Sequence, residues 1–128
     1  MENTNTKNNR DVGNIGEAIA VSFLEKNGFE IVTTNFRNRL GEIDIISTKN
    51  NKRGEVVYHF VEVKYRLTNK YGLGREAVTA QKQKTIHRVA TAFLLARDLY
   101  NRVDLSFDVV EIMGTVNDHQ IEFFESCF

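Results

Sequence analysis

The sequence has no proline and no tryptophan, and it has one cysteine. With no proline, no helix boundary rests on that residue. Cys127 stands alone, without a partner for an internal disulfide or neighbours for a zinc cage, which excludes redox and structural-zinc roles. No apolar run approaches the ~18–20 residues of a membrane span. Residues 1–10 are polar and lack the apolar stretch of a secretory signal, so no membrane partner is expected and the expected location is the cytoplasm. An excess of charge is missing too: 17 Lys and Arg stand against 17 Asp and Glu, which gives no global pull toward nucleic acid.

What is present is an ordinary globular composition, 41% hydrophobic and 27% charged in 128 residues, matching one domain with a single core. Residues 1–10, rich in Asn, Thr and Lys, read as a flexible polar tail, and residues 11–128 as the domain. The neutral total hides a polar distribution. Between Lys64 and Arg88 seven basic residues face one acid, a net +6, and between Asp98 and Phe128 seven acids face one base, a net −6.

Apolar residues at helical spacing (Ile15, Ala18, Ile19, Phe23, Leu24) predict a first helix from Asn14 to Asn27, with Asn14 as cap, Glu17 three residues later and Gly28 as stop. Phe29 to Arg37 and Glu42 to Ser47 read as a hairpin joined by a turn at Asn38 to Gly41. Glu55 to Tyr65 reads as a third, well-buried strand, and Arg66 to Glu76, with Gly72 and Gly74, as a mobile loop. Val78 to Tyr100 predicts a long second helix with Lys82, Lys84, His87, Arg88 and Arg97 on its polar face. Asp104 to Met113 and Gln120 to Phe124 complete an αβββαβ(β) order without internal repeat. The fold class is α/β, a mixed central sheet flanked by helices.

The chemistry lies in the two central strands. Glu62 and Lys64, two positions apart, share a strand face, while Val61, Val63 and Tyr65 point to the other. Asp44 sits in the preceding Ile-rich strand, Gly41-Glu42-Ile43-Asp44-Ile45-Ile46. Unpaired charges among Val and Ile cost several kcal/mol (on the order of the burial penalty of an ion), and a bound cation would compensate them. Asp44, Glu62 and the Val63 backbone carbonyl between Glu62 and Lys64 form a hard oxygen site suited to Mg²⁺ or Mn²⁺. An ammonium at Lys64 can orient or deprotonate an attacking water. The combination suits phosphodiester hydrolysis.

These residues carry a resemblance. Gly41-Glu42-Ile43-Asp44 followed by Phe60-Val61-Glu62-Val63-Lys64-Tyr65-Arg66 resembles the D…E-x-K core of the PD-(D/E)xK nuclease superfamily, with Ile43 where a proline would stand. Together with Gly16-Glu17-Ala18, Asn35-Phe36-Arg37, Val78, Lys82-Gln83 and Phe107-Asp108-Val109-Val110, the chain is similar to the YraN family, whose fold is related to Holliday junction resolvases. The resemblance implies a restriction-endonuclease-like αβββαβ core. It also implies metal binding by Asp44 and Glu62, service of the water by Lys64, and completion of the site by Glu17.

Plainer readings compete. Any E-x-K can be a cross-strand ion pair at a sheet edge, and Glu17 three residues after Asn14 fits a capping box. His59, on the strand face opposite Glu62, reads as a core or rim histidine, and the acidic last third as a solvated flank. The basic cluster favours phosphate contacts by Lys82 and Gln83 first, then Arg37 and Arg66. The expectation is a Mg²⁺-dependent endonuclease acting on DNA, branched or junction DNA included, as a homodimer if the junction is symmetric. Two alternatives are a catalytically idle nucleic-acid-binding or partner-docking module of the same fold, and an RNA-directed nuclease with the same site.

Overall fold

The computed structural model describes residues 4–66 and 78–128, with side chains from residue 14 onward. Helix α1 (Thr4–Lys26) precedes strands β1 (Glu30–Asn38), β2 (Gly41–Asn50) and β3 (Val56–Arg66). Helix α2 (Ala80–Ala96), β4 (Asp104–Gly114) and β5 (His119–Phe124) follow. The five strands form one sheet in the order β1-β2-β3-β4-β5. β3 and β4 pair parallel, and the other three pairs are antiparallel. A parallel pair needs a long crossover, and α2 lies in it. The predicted order, and every strand to within a few residues, is the one observed.

Two helix boundaries differ: α2 ends at Ala96, not at Tyr100, and α1 starts earlier than expected. Helix α1 begins at Thr4 rather than near Asn14, so residues 4–10, read as a tail, are helical. Once a packed stretch has nucleated a helix, each further turn costs little, and no proline stops it. Asn14 therefore lies inside the helix, and the capping-box account of Glu17 falls away. The predicted loop at 66–76, with Tyr71, lies outside the described residues apart from Arg66.

Each sheet face carries its own core. On one, Ile86, Val89, Ala90, Phe93 and Leu94 of α2 pack on Ile43, Ile46, Phe60, Phe107 and Val109. On the other, Ala20 and Leu24 of α1 pack with Phe29, Ile45, Val61, Val110 and Ile112. Burying each such large apolar side chain contributes roughly 1.5–3 kcal/mol, which is what holds both helices against a sheet of their own hydrophobic pattern. Phe93 adds edge-to-face contacts with Phe36 and Phe60, at ring centroid distances of 5.2 and 6.0 Å.

Two glycines let the backbone come close where the functional residues gather. A Cβ on Gly16 would stand 2.9 Å from Cδ2 of Tyr65, and one on Gly41 would stand 2.5 Å from Cγ2 of Thr85. The first lets α1 press on the end of β3, and the second lets the β1–β2 turn press on α2. Both approaches are toward the same end of the sheet.

The acidic last third is not simply a solvated flank: Asp108 and Glu111 are buried. Asp108 Oδ2 lies 2.6 Å from Nδ1 of the buried His59. Its Oδ1 accepts from the Ser106 hydroxyl at 2.5 Å and from the Ser126 backbone N–H at 3.0 Å. His59 is thus a core histidine, paired by a carboxylate that also ties the C-terminal segment to β4.

Candidate functional site

The site forms where β2 and β3 part. Their pairing runs from Asn50↔Val56 to Ile45↔Val61 and stops there. Beyond it, Ile43 belongs to the α2-side core and Ile45 to the α1-side core, although residues two apart in a regular strand share a face. The alternation is broken at Asp44, which lies opposite Asn35 with no shift in the β1–β2 register. Asp44 consequently points across the fork, and its Oδ2 accepts the Val63 backbone N–H at 2.8 Å. The N–H and C=O of one strand residue project to the same edge, so the Val63 carbonyl faces this fork as well.

Glu62 is buried, its side chain 5% exposed, and faces α2. Lys64 Nζ stands 3.7 Å from Glu62 Oε1, and Lys82 Nζ from α2 contacts the same oxygen. Lys82 is carried there by its helix start: the Thr79 hydroxyl accepts the Lys82 backbone N–H at 3.2 Å and fixes the first turn. Asp44, Glu62, Lys64 and Lys82 thus form one charged cluster at the fork.

The electrostatics bear the marks of crowding. Burial, and then the neighbouring Glu62 charge, push the Asp44 carboxyl up to about 7 from 3.8, against the Val63 hydrogen bond that favours its ionised form. Burial and then the Lys82 charge lower the Lys64 ammonium. Burial also works against a charged Lys82, but its hydrogen bond and attraction to Glu62 outweigh this and raise it.

Glu17 lies within electrostatic reach of Asp44, with its Oε1 held by the Asn35 side-chain amide at 2.8 Å. Burial raises its pKa, opposed by bonds from Asn35 and Thr34. The structure therefore brings Glu17 to the rim of the cluster and not onto the two carboxylates. Asn35 was not read from the sequence as a site residue. It lies with Asp44 between the pairs Thr34↔Ile45 and Phe36↔Ile43, at φ +51°, a left-handed conformation that Asn tolerates better than most residues. An Asn within a Thr- and Phe-rich strand, where that residue type is depleted, was the available signal.

The expected phosphate-contacting residues separate. Lys82 is in the cluster itself. Gln83 spends its amide on the Val78 carbonyl at 3.0 Å, so its role is to bind the start of α2. Arg37 pairs with Glu42 at 2.8 Å on an exposed part of the hairpin, a bond weak enough to exchange for another anion. Arg66 is half-buried and its charge acts on Glu111.

Among the described residues no three His, Cys, Asp or Glu side chains stand together as a ready metal cage. The donor set still fits Mg²⁺ or Mn²⁺. These ions are held by one or two carboxylates, with water and substrate phosphate completing the shell, and Asp44 and Glu62 already repel one another across the fork. A cation between them relieves that repulsion, and Lys82 and Lys64 are the positive charges that meet it in the protein itself.

Five mixed strands, two helices on opposite faces and acids at a central fork make this an α/β protein with a core consistent with the restriction-endonuclease-like arrangement. A family model described as "Uncharacterised protein family UPF0102" matches residues 16–112. The chain belongs to that family, the YraN-type group its motifs resemble. It is 46% identical over 119 residues to a UPF0102 protein of Acetivibrio thermocellus, covering 92% of this chain and 87% of the relative. It is 43% identical over 106 residues to one of Clostridium beijerinckii, covering 83% and 81%. With one of Alkaliphilus metalliredigens it shares 42% over 104 residues, covering 81% and 86%. The match spans every residue of the fork and stops short of β5.

Proposed function

We propose that the protein is a divalent-metal-dependent endonuclease of the PD-(D/E)xK type that hydrolyses DNA phosphodiester bonds, branched and junction DNA included. The observation that supports it most is the fork: Asp44 turned onto the Val63 N–H beside Glu62, with Lys64 on the same strand face. Asp44, Glu62 and the Val63 carbonyl would hold Mg²⁺ or Mn²⁺. When bound, that ion supplies a water of lowered pKa and positive charge at the phosphoryl oxygens.

The chain's own groups supply the rest. Lys64 is the catalytic lysine. Burial, and then the Lys82 charge, make its ammonium easier to deprotonate than that of an exposed lysine. Helix α2 and the β1–β2 hairpin flank the fork, and Lys82 and Arg37 would meet the backbone phosphates. Charge and shape carry the recognition, since phosphate contacts position a nucleic acid without reading its bases. A symmetric junction would engage two copies of the chain.

The test is cleavage of a labelled panel of single-stranded, duplex, flap and four-way junction DNA, with RNA and hybrid duplexes beside it, in Mg²⁺, Mn²⁺ or EDTA. Metal-dependent cutting that is lost in Asp44→Asn and Lys64→Ala supports the reading. Binding without cutting in either metal, unchanged by both substitutions, refutes it. That second outcome is what an idle binding module would give, a reading favoured by one observation: Glu62 already has an ammonium on its oxygen.

A further inference from the structure

With both carboxylates ionised, as binding a cation requires, four charges meet at the fork, Asp44 and Glu62 negative and Lys64 and Lys82 positive, so the cluster is neutral before any metal enters. A divalent cation entering it would leave a net charge of +2 in a partly desolvated place, which is unfavourable unless one ammonium leaves. The two lysines differ in their freedom to do so. Lys64 is part of the central strand, with its side chain 21% exposed, whereas Lys82 reaches in from α2 with 44% exposed. Yet it is Lys82 that makes the closer contact with Glu62 Oε1, the oxygen an ion would need.

We propose that Lys82 is a resident competitor for the metal: its ammonium holds Glu62 Oε1 in the metal-free protein, yields that oxygen to the incoming divalent cation, and then turns outward to a backbone phosphate. This rests on the reading of Asp44 and Glu62 as metal ligands. The geometry gives the exchange a short path, because the Lys82 backbone is fixed by the Thr79 cap at the start of α2, while its side chain, tied to Glu62, is 44% exposed. The four-carbon stem is free to swing about that anchor. The exchange also orders events, since the phosphate-binding charge becomes available only at a site that has taken up metal.

The consequence is measurable without any nucleic acid. Titration of Mn²⁺ into the metal-free full chain, by calorimetry or by the electron paramagnetic resonance of the free ion, reads affinity directly. Removing a partly exposed ion pair and the repulsion between ammonium and cation should tighten binding by about tenfold. Lys82→Met is therefore expected to bind Mn²⁺ about tenfold tighter than wild type, and Lys82→Gln to follow it. Lys82→Arg should stay within about threefold of wild type, because it keeps the charge. Agreement between the two neutral variants guards against a folding defect in either. If wild type binds Mn²⁺, Asp44→Asn abolishes binding, and both neutral variants match or fall below wild type, the competitor role alone is overturned. If neither wild type nor the Lys82 variants bind Mn²⁺, the metal-site reading falls and the proposal with it.

Discussion

The substitution Asp44→Asn should make the metal-free protein more stable at pH 8 while removing the proposed DNA cleavage. In the folded chain the Asp44 carboxyl is raised from 3.8 to about 7, by burial first and by Glu62 second. A carboxyl whose folded pKa lies above its unfolded one costs stability on ionising. The contribution of Asp44 to stability should be greatest below about pH 4, fall as pH rises from there to about 7, and level off beyond. The rise from 3.8 to about 7, at about 1.36 kcal/mol per tenfold change in proton affinity, sets a ceiling of about 4 kcal/mol on that loss. Asn keeps an oxygen that can accept the Val63 N–H, now 2.8 Å from Asp44 Oδ2, and carries no charge to repel Glu62. In EDTA at pH 8 it should therefore melt higher, by roughly 10 °C if most of the ceiling is realised. Near pH 4 the two proteins should melt together. Mn²⁺ should narrow or reverse the difference at pH 8, because a ligand at a hundred times its Kd adds about 2.7 kcal/mol to the state that binds it. Thermal melts of both proteins between pH 4 and 8, with EDTA and with Mn²⁺, test all of this. A variant that melts at or below wild type at pH 8 in EDTA, with a parallel pH profile, would refute the reasoning.

Three further outcomes follow from the packing. Gly16→Ala would bring the helix preference of Ala, worth about 1 kcal/mol, but Gly16 is buried and its Cβ would meet Tyr65 at 2.9 and 3.0 Å. Overpacking costs of about 1–3 kcal/mol should win, so urea denaturation should show net destabilisation of about 1 kcal/mol, and a stabilised variant would contradict the close approach. Glu111 is buried with no hydrogen-bond partner for Oε2 among the described residues. Burial raises its pKa, opposed by Arg66 and assisted by Glu122. Its stability contribution is thus lost as pH rises, so Glu111→Gln should raise Tm at pH 7.5 with a gap that closes toward pH 4. A gap that instead widens in acid would show the sign to be wrong. Asp108→Ala removes the partner of His59 and the acceptor of Ser106 and the Ser126 N–H, and should cost about 3–5 kcal/mol in urea denaturation. A loss below about 1 kcal/mol would mean that this buried network is not what fastens the C-terminal segment.

Most of the fold was legible because its elements are written in local pattern. The Val and Ile runs of β2, β3 and β4 and the three-four spacing of Ile86, Val89, Ala90 and Phe93 each specify an element within one stretch of chain. The start of α1 was not legible, because residues 4–10 have no apolar spacing to announce a helix. They are carried by propagation from the packed part, which a composition argument does not see. Asp108 and Glu111 were misjudged for a related reason. Charge counted along the sequence says nothing of which acids the sheet will bury, and β4, flanked by β3 and β5, buries both.

The site was legible as residue types and not as contacts. Strand periodicity put Glu62 and Lys64 on one face, and the α2 side of the sheet is where both are found. The same periodicity, applied to β2, would have given Asp44 the face opposite Ile43 and Ile45 together, yet those two isoleucines enter opposite cores. That break swings Asp44 onto the Val63 N–H, and it is set by the parting of β2 from β3, a tertiary event with no local mark. Lys82 is the clearest case. Read along α2 it belongs to a basic stripe with Lys84 and Arg88, all solvated, but a helix that starts at Thr79 and presses against the hairpin at Gly41 aims its first turn into the fork. There Lys82 meets a carboxylate 20 positions earlier in the chain. The basic face thus divides by position along the helix, its first turn belonging to the charged fork and its later turns to the surface. Predicted phosphate contacts on such a helix are best ranked by distance from its capped start, because only the capped turn is fixed well enough to enter a buried site.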